Sequence, residues 1–300
     1  MKATHELPKG VHRSHALPDA GLGALWDSIV LDAALKNQLI SQAIVNFTVR
    51  PKVDRSVLPL HGAILLVGPP GTGKTSLARG LASKTAECLK GQKFRLLEVD
   101  PHTLTSAMLG RTQKAVSDLF SQSISESAMV GPTIVLLDEV ETLAADRTKL
   151  SLEANPVDVH RATDAVLVQF DRLAEQHPNI LFIATSNFPQ AVDAAFNSRC
   201  DLILEIPLPD KTACEKILTL CLTGLGSTFK PIAKLAGAHG LSKVVDELVG
   251  LDGRAIRKVV GNALTIRQQV ALKPDDLTME DLFFAARAAK EARAKKKAHQ

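Results

Sequence analysis

The residues best suited to chemistry lie at positions 68–75, which read GPPGTGKT. Glycine, four residues, then glycine, lysine and threonine is the spacing of a phosphate-binding loop. Gly71 and Gly73 let the backbone turn with no Cβ between its N–H groups and an anion. Those N–H groups, together with the start of the following helix, converge on phosphate oxygens. Lys74 reaches the terminal phosphates, and the Thr75 hydroxyl holds Mg²⁺. Gly68, Pro69, Pro70, Thr72 and Ser76 complete the cradle. A plain strand-to-helix turn is the alternative. The complete motif and its flanks weigh against it.

A second chemical signal is the acid pair Asp138-Glu139 at the end of the apolar run 134–137. Alone, such a pair is a solvated strand end. Beside a phosphate loop, Asp138 can position Mg²⁺ through its water shell. Glu139 then stays free to orient and deprotonate the water that attacks a γ-phosphate. Asn187 closes another apolar run, ILFIAT at 180–185. Its neutral amide can bond both the γ-phosphate and the attacking water, or it can simply form a turn. Arg199 precedes a further short run, and its planar fork suits charge spread over equatorial phosphate oxygens. Arg254 opens a helical stretch and could reach the nucleotide.

These residues need a frame that holds them together. Runs at 63–67, 94–99, 134–137, 180–185 and 202–206 read as strands alternating with helices. That pattern implies a parallel five-stranded sheet covered on both faces, with the ligand crevice at the carboxyl ends of the strands. After Pro207 and Pro209 every strong pattern is helical, with Asp210 as an N-cap and a capping-box-like start at Thr278. The expected organisation is a loosely ordered leader at 1–23, an α/β domain at 24–208 and a small helical lid at 209–300. Trp26 reads equally as a core anchor or as part of a segment covering the adenine, with Ile29 and Val30 as nucleotide contacts.

Composition narrows the class. A chain of 300 residues accommodates one large and one small domain. The net charge of +4 owes much to Arg293 and Lys295–Lys297, a weak basis for nucleic-acid binding. No apolar run approaches the about 20 residues that span a membrane, and the start has no apolar signal core. The four cysteines show neither CxxC pairing nor a disulfide framework, and Cys214 and Cys221 read as core. A cytoplasmic protein is expected.

The chain resembles the AAA+ ATPases, phosphate-loop NTPases with a helical lid. Within them it is similar to the pachytene-checkpoint (thyroid-receptor-interactor) remodelling ATPases. The resemblance is carried by LWDSIVLD at 25–32, HGAILLVGPPGTGKTSLARGLA at 61–82 and LLDEVETLAADR at 136–147. It continues through AVLVQFDRL at 165–173, ATSN at 184–187, AAFNSRCDL at 194–202 and LDGRAIRK at 251–258. It implies ATP with Mg²⁺ on Lys74, Thr75 and Asp138, with Glu139 as catalytic base. It also implies sensors at Asn187 and Arg254, and an arginine finger at Arg199 acting on the neighbouring subunit of a homo-hexamer.

The resemblance further implies a ring that partly unfolds HORMA-domain proteins and dissociates them from bound peptide or partner. A pore grip is expected at Met108, Leu109 and Gly110, with methionine where the family has an aromatic; ordinary packing is the alternative there. Family members in eukaryotes carry a folded N-terminal substrate domain, and the two dozen residues before Leu25 are too few for one. That points to the bacterial relatives, which accompany HORMA proteins and cGAS-like nucleotidyltransferases in anti-phage systems. The rival class is a nucleic-acid-dependent ATPase of clamp-loader or initiator type. The chain lacks the aromatic-interleaved basic stretch and helix-turn-helix pattern that such a protein would show. No membrane partner is expected.

Overall fold

The computed structural model describes residues 10–99, 117–142 and 156–298, without the side chains of 156–163 and 296–298. Its centre is a six-stranded sheet in the order β1-β3-β4-β5-β2-β6. The strands are β1 (Val11–Leu17), β2 (Ala63–Val67), β3 (Phe94–Val99), β4 (Thr133–Leu137), β5 (Ile180–Ser186) and β6 (Leu202–Glu205). The five predicted strands all form and all run parallel, so the α/β phosphate-loop class stands. The strand count needs correction. Residues 11–17, expected to be loosely ordered, form β1 and pair antiparallel with β3, from Val11 opposite Val99 to Leu17 opposite Phe94.

Burial follows the position of each strand. In β2 (AILLV), β4 (TIVLL) and β5 (ILFIATS) every residue is buried, the signature of central parallel strands covered on both sides. On one face Leu65, Val67, Val135, Leu137, Phe182 and Ala184 meet Phe120, Phe170 and Phe196 in one cluster. The Phe170 ring lies 4.5 Å from Phe182 and 5.7 Å from Phe196, so this layer is set by aromatic contacts. Helix α3 (Lys74–Cys88) runs directly out of the phosphate loop and buries Leu77 and Leu81.

Helix α1 (Ala20–Ser28) packs on α3 closely enough that a Cβ at Gly80 would lie 2.6 Å from the Trp26 backbone nitrogen. Trp26 is 6% exposed, which makes it a core anchor. Asp32 caps α2 (Ala33–Thr48) through the N–H groups of Ala34 and Leu35.

Contacts divide the chain into two units. The first runs to Gly68 and from Lys74 to Glu205; the second takes Pro69–Gly73 and everything from Ile206 on. Helices α4 (Ser125–Val130), α5 (Pro156–Gln176) and α6 (Ala194–Asn197) belong to the first. The second is helical: α7 (Lys211–Gly226), α8 (Lys230–Leu235), α9 (Leu241–Leu248), α10 (Gly253–Ala263), α11 (Gln268–Leu272) and α12 (Met279–Ala298). Asp210 caps α7 at the Ala213 N–H (2.7 Å), as its position in the sequence predicts. At Thr278 the expected box forms with Asp281, which accepts from the Thr278 N–H at 2.9 Å and hydroxyl at 2.6 Å. No helix among the described residues is long and apolar enough to cross a membrane.

Candidate active site

Strands β2, β4 and β5 are parallel neighbours, so the loops after them emerge side by side. This brings Lys74 and Thr75, the acid pair and Asn187 together from positions 48 to 113 residues apart. Lys74 is 5% exposed. Its Nζ donates to the Gly68 carbonyl and to Asn187 Oδ1, both at 2.8 Å. Asn187 Nδ2 donates in turn to Glu139 Oε1 at 3.0 Å. Cation, amide and acid therefore form one hydrogen-bonded line. Beside it, the Thr75 hydroxyl donates to Asp138 Oδ1 at 2.8 Å.

Two residues that the sequence motifs did not single out complete this line. Thr185 donates its hydroxyl to Asp138 Oδ1 at 2.5 Å and accepts the Glu139 backbone N–H at 3.1 Å. It thus fixes both acids against β5. Its signal is a polar threonine at the end of an otherwise apolar run. Glu141 accepts the Asn187 backbone N–H at 3.1 Å and so anchors the turn that carries the amide. Glu139 itself has φ of 53°, a left-handed conformation that costs a non-glycine residue of order 1–2 kcal/mol. Hydrogen bonds from the Glu139 N–H to Thr185 and from the Thr142 hydroxyl to the Glu139 carbonyl (2.9 Å) hold that turn in place.

Gly71 and Gly73 have φ of 81° and 94°, the left-handed region that their residue type permits. Within the second unit, the Arg254 N–H donates to the Gly71 carbonyl at 3.1 Å, and Asp252 caps α10 at the Ala255 N–H (2.9 Å). A Cβ on Gly71 would run into the Asp252 carboxylate. The Arg254 side chain is exposed.

Arg199 stands apart from the cluster at Lys74. It forms a two-pronged ion pair with Asp171 of α5, both bonds 2.7 Å. That bond raises the Arg199 pKa and lowers that of Asp171, so the pair stays charged at neutral pH. Nearby Asp201 accepts the N–H groups of His61, Gly62 and Ala63 and pins the start of β2. Ile29 and Val30 are half-buried directly after α1. Met108, Leu109 and Gly110 lie outside the described residues.

Three of the four thiols, those of Cys200, Cys214 and Cys221, are poorly suited to reaction. Burial pushes Cys200 up to about 12 and Cys214 up to about 11, and it raises Cys221. Among the described residues no group of three or more His, Cys, Asp or Glu side chains could hold a metal by itself.

A largely parallel sheet that puts the lysine and threonine of a phosphate-loop motif next to a strand-end acid pair and an amide defines a phosphate-loop nucleoside triphosphatase. Residues 64–208 match the family described as AAA, ATPase family associated with various cellular activities. CD-NTase-associated protein 6 of Pseudomonas aeruginosa is 70% identical over 287 residues, covering 96% of this chain and 94% of that protein. The Pachytene checkpoint protein 2 homolog of Rattus norvegicus is 33% identical over 273 residues, covering 81% of this chain and 61% of the rat protein. Among solved structures, one described as "Structure of E. coli MS115-1 HORMA:CdnC:Trip13 complex" matches with a TM-score of 0.73. It is 19% identical and covers 92% of this chain and 94% of that one. The chain belongs to the AAA ATPases, together with these relatives; it binds nucleotide and hydrolyses ATP.

Proposed function

We propose that this chain is a cytoplasmic, ATP-driven protein remodeller. It works as a homo-hexamer that partly unfolds HORMA-domain proteins and frees them from a bound peptide or partner, within an anti-phage system built on a cGAS-like nucleotidyltransferase. Two relatives support the client. The 70% identical protein is named as CD-NTase-associated, and the matching complex contains a HORMA protein and CdnC beside the similar chain. The observation that carries the chemistry is the line from Lys74 through Asn187 to Glu139.

In this reading the loop 68–75 and Ser76 cradle the phosphates, and Lys74 exchanges its present partners for β- and γ-phosphate oxygens. Released from that bond, the Asn187 amide turns to the γ-phosphate and the attacking water. Glu139 takes the proton of that water. Its left-handed turn and its bond to Asn187 aim the carboxylate before nucleotide arrives. Thr75 and Asp138 offer only oxygen donors, which fits Mg²⁺; that ion is held by one or two carboxylates together with substrate phosphates. Bound there it offsets phosphate charge. Ile29 and Val30 contact the base, Arg254 senses the nucleotide from the lid, and Arg199 serves the ATP of the neighbouring subunit. Met108, Leu109 and Gly110 grip the client in the pore.

A release assay tests the function. A purified HORMA protein closed around a fluorescent peptide is incubated with the chain and ATP. The expected result is peptide release that stops when ATP is replaced by a non-hydrolysable analogue. Robust ATP turnover with the peptide still bound would overturn the remodelling assignment.

A further inference from the structure

The Arg199 guanidinium is fixed in orientation as well as position. Nε donates to Asp171 Oδ1 and Nη2 to Asp171 Oδ2, while Nη1 donates to the Ala195 carbonyl at 2.6 Å. Such a fork-to-fork pair orients a planar cation, which a single contact cannot do. The two side chains keep 23% and 41% of their exposure, so the pair lies at the surface. Exposed ion pairs in general contribute little to stability, but a bidentate pair contributes more than most. Stability is therefore one account of it.

Catalysis is a better one. A free arginine side chain carries about 2 kcal/mol of rotamer entropy, which each encounter with a phosphate would have to remove. Asp171 removes it in advance. Of the five guanidinium N–H groups, three are committed to Asp171 and Ala195. One N–H remains on each Nη nitrogen, a pair spaced for two phosphate oxygens.

We propose that Asp171 is the positioning residue for Arg199. It holds the guanidinium in the orientation in which it meets the γ-phosphate bound to a second copy of this chain. This rests on the reading of Arg199 as a finger acting in trans.

Mixed assemblies separate the two ideas. A Lys74→Ala subunit has a dead site of its own but can still lend Arg199 to a wild-type neighbour. Wild-type chain is mixed with a fixed excess of Lys74→Ala, or of Lys74→Ala carrying in addition Asp171→Asn, Asp171→Glu or Arg199→Ala. Assembly is checked by size. At each wild-type site that faces a variant neighbour, Asp171→Asn should lower kcat about tenfold against the Lys74→Ala mixture with KM little changed, since misplacement acts on the transition state. Asp171→Glu should recover most of that loss. Arg199→Ala should silence every wild-type site that faces a variant neighbour, leaving only the share of turnover set by wild-type neighbours at the mixing ratio used. If Asp171→Asn leaves turnover unchanged while Arg199→Ala lowers it to that share, the positioning role is wrong and the finger stands. If Arg199→Ala also has no effect in assembled mixtures, the finger reading falls, and the role of Asp171 falls with it.

Discussion

Two buried cations sit at opposite ends of the same sheet, and their partners differ in kind. Lys74 is 5% exposed and Arg50 6%. Arg50, just after α2, lies at the amino ends of the strands. It donates to the Asn46 side chain and to the Ile180 and Ala174 carbonyls, at 3.0, 2.7 and 2.6 Å. Burial pulls its pKa down to about 10. These acceptors include the end of α5 and the first residue of β5, so they cannot leave without loosening both elements. Lys74 lies at the carboxyl ends, bonded to a loop carbonyl and to an amide on a rotatable side chain. Phosphate oxygens can take over those bonds while the sheet stays intact. A buried cation held by the backbone closes the structure. One held by exchangeable partners is available for chemistry.

Mutations can break or sharpen that contrast. The largest effect is expected for Lys74→Ala, which should lower ATP turnover on the order of a thousandfold. A melt of the nucleotide-free protein should shift by only a few degrees, because the exchangeable partners close on one another or on water. Arg50→Met should do the reverse. Several carbonyls lose their donor at once, which costs about 3 kcal/mol, or roughly 6–12 °C in Tm. Nucleotide affinity measured below the transition should stay within about twofold. A collapse of nucleotide binding in folded Arg50→Met protein would erase the distinction between the two ends.

Thr185→Val tests the support behind the acids. It removes the hydroxyl that bonds Asp138 and the Glu139 N–H and leaves the volume nearly unchanged. Turnover should fall about tenfold, with a stability loss of about 1–2 kcal/mol. The smallest effect belongs to Asp281→Asn in the helical unit. The Arg267 guanidinium and then the Thr278 bonds hold this carboxylate at about 2, below its ordinary 3.8. A depressed acid stabilises the fold above the unfolded-state pKa and loses that contribution as pH falls through the folded one. The wild-type melt should therefore drop between about pH 4 and pH 2 more steeply than that of Asp281→Asn. Parallel acid profiles for the two proteins would remove this contribution.

The sequence made the five parallel strands legible because each is an apolar run interrupted by glycine, proline or acid. The residues of the site were legible for the same reason, since Lys74, Asp138, Glu139 and Asn187 stand where such runs end. β1 was not. In VHRSHAL only Val11 and Leu17 are buried, so the side chains carry no alternation and the strand is specified by its backbone pairing to β3. Nor does any spacing announce that Asp171 meets Arg199 across 28 positions. Arg50 resembles a surface charge until the carbonyls around it are seen, and Thr185 looks like strand filler until the acids beside it are placed. Interactions set by tertiary contact leave no local pattern. Those set by motif chemistry do.

Glu139 is proposed as the base in the line that starts at Lys74. The most direct test is the Glu139→Gln variant, measured for ATP affinity and for single-turnover hydrolysis in the same preparation. The amide keeps the shape of the carboxylate but cannot accept a proton from water. ATP affinity is expected within about threefold of wild type, with a hydrolysis rate at least about a hundredfold lower. Wild-type hydrolysis in that variant would contradict that role.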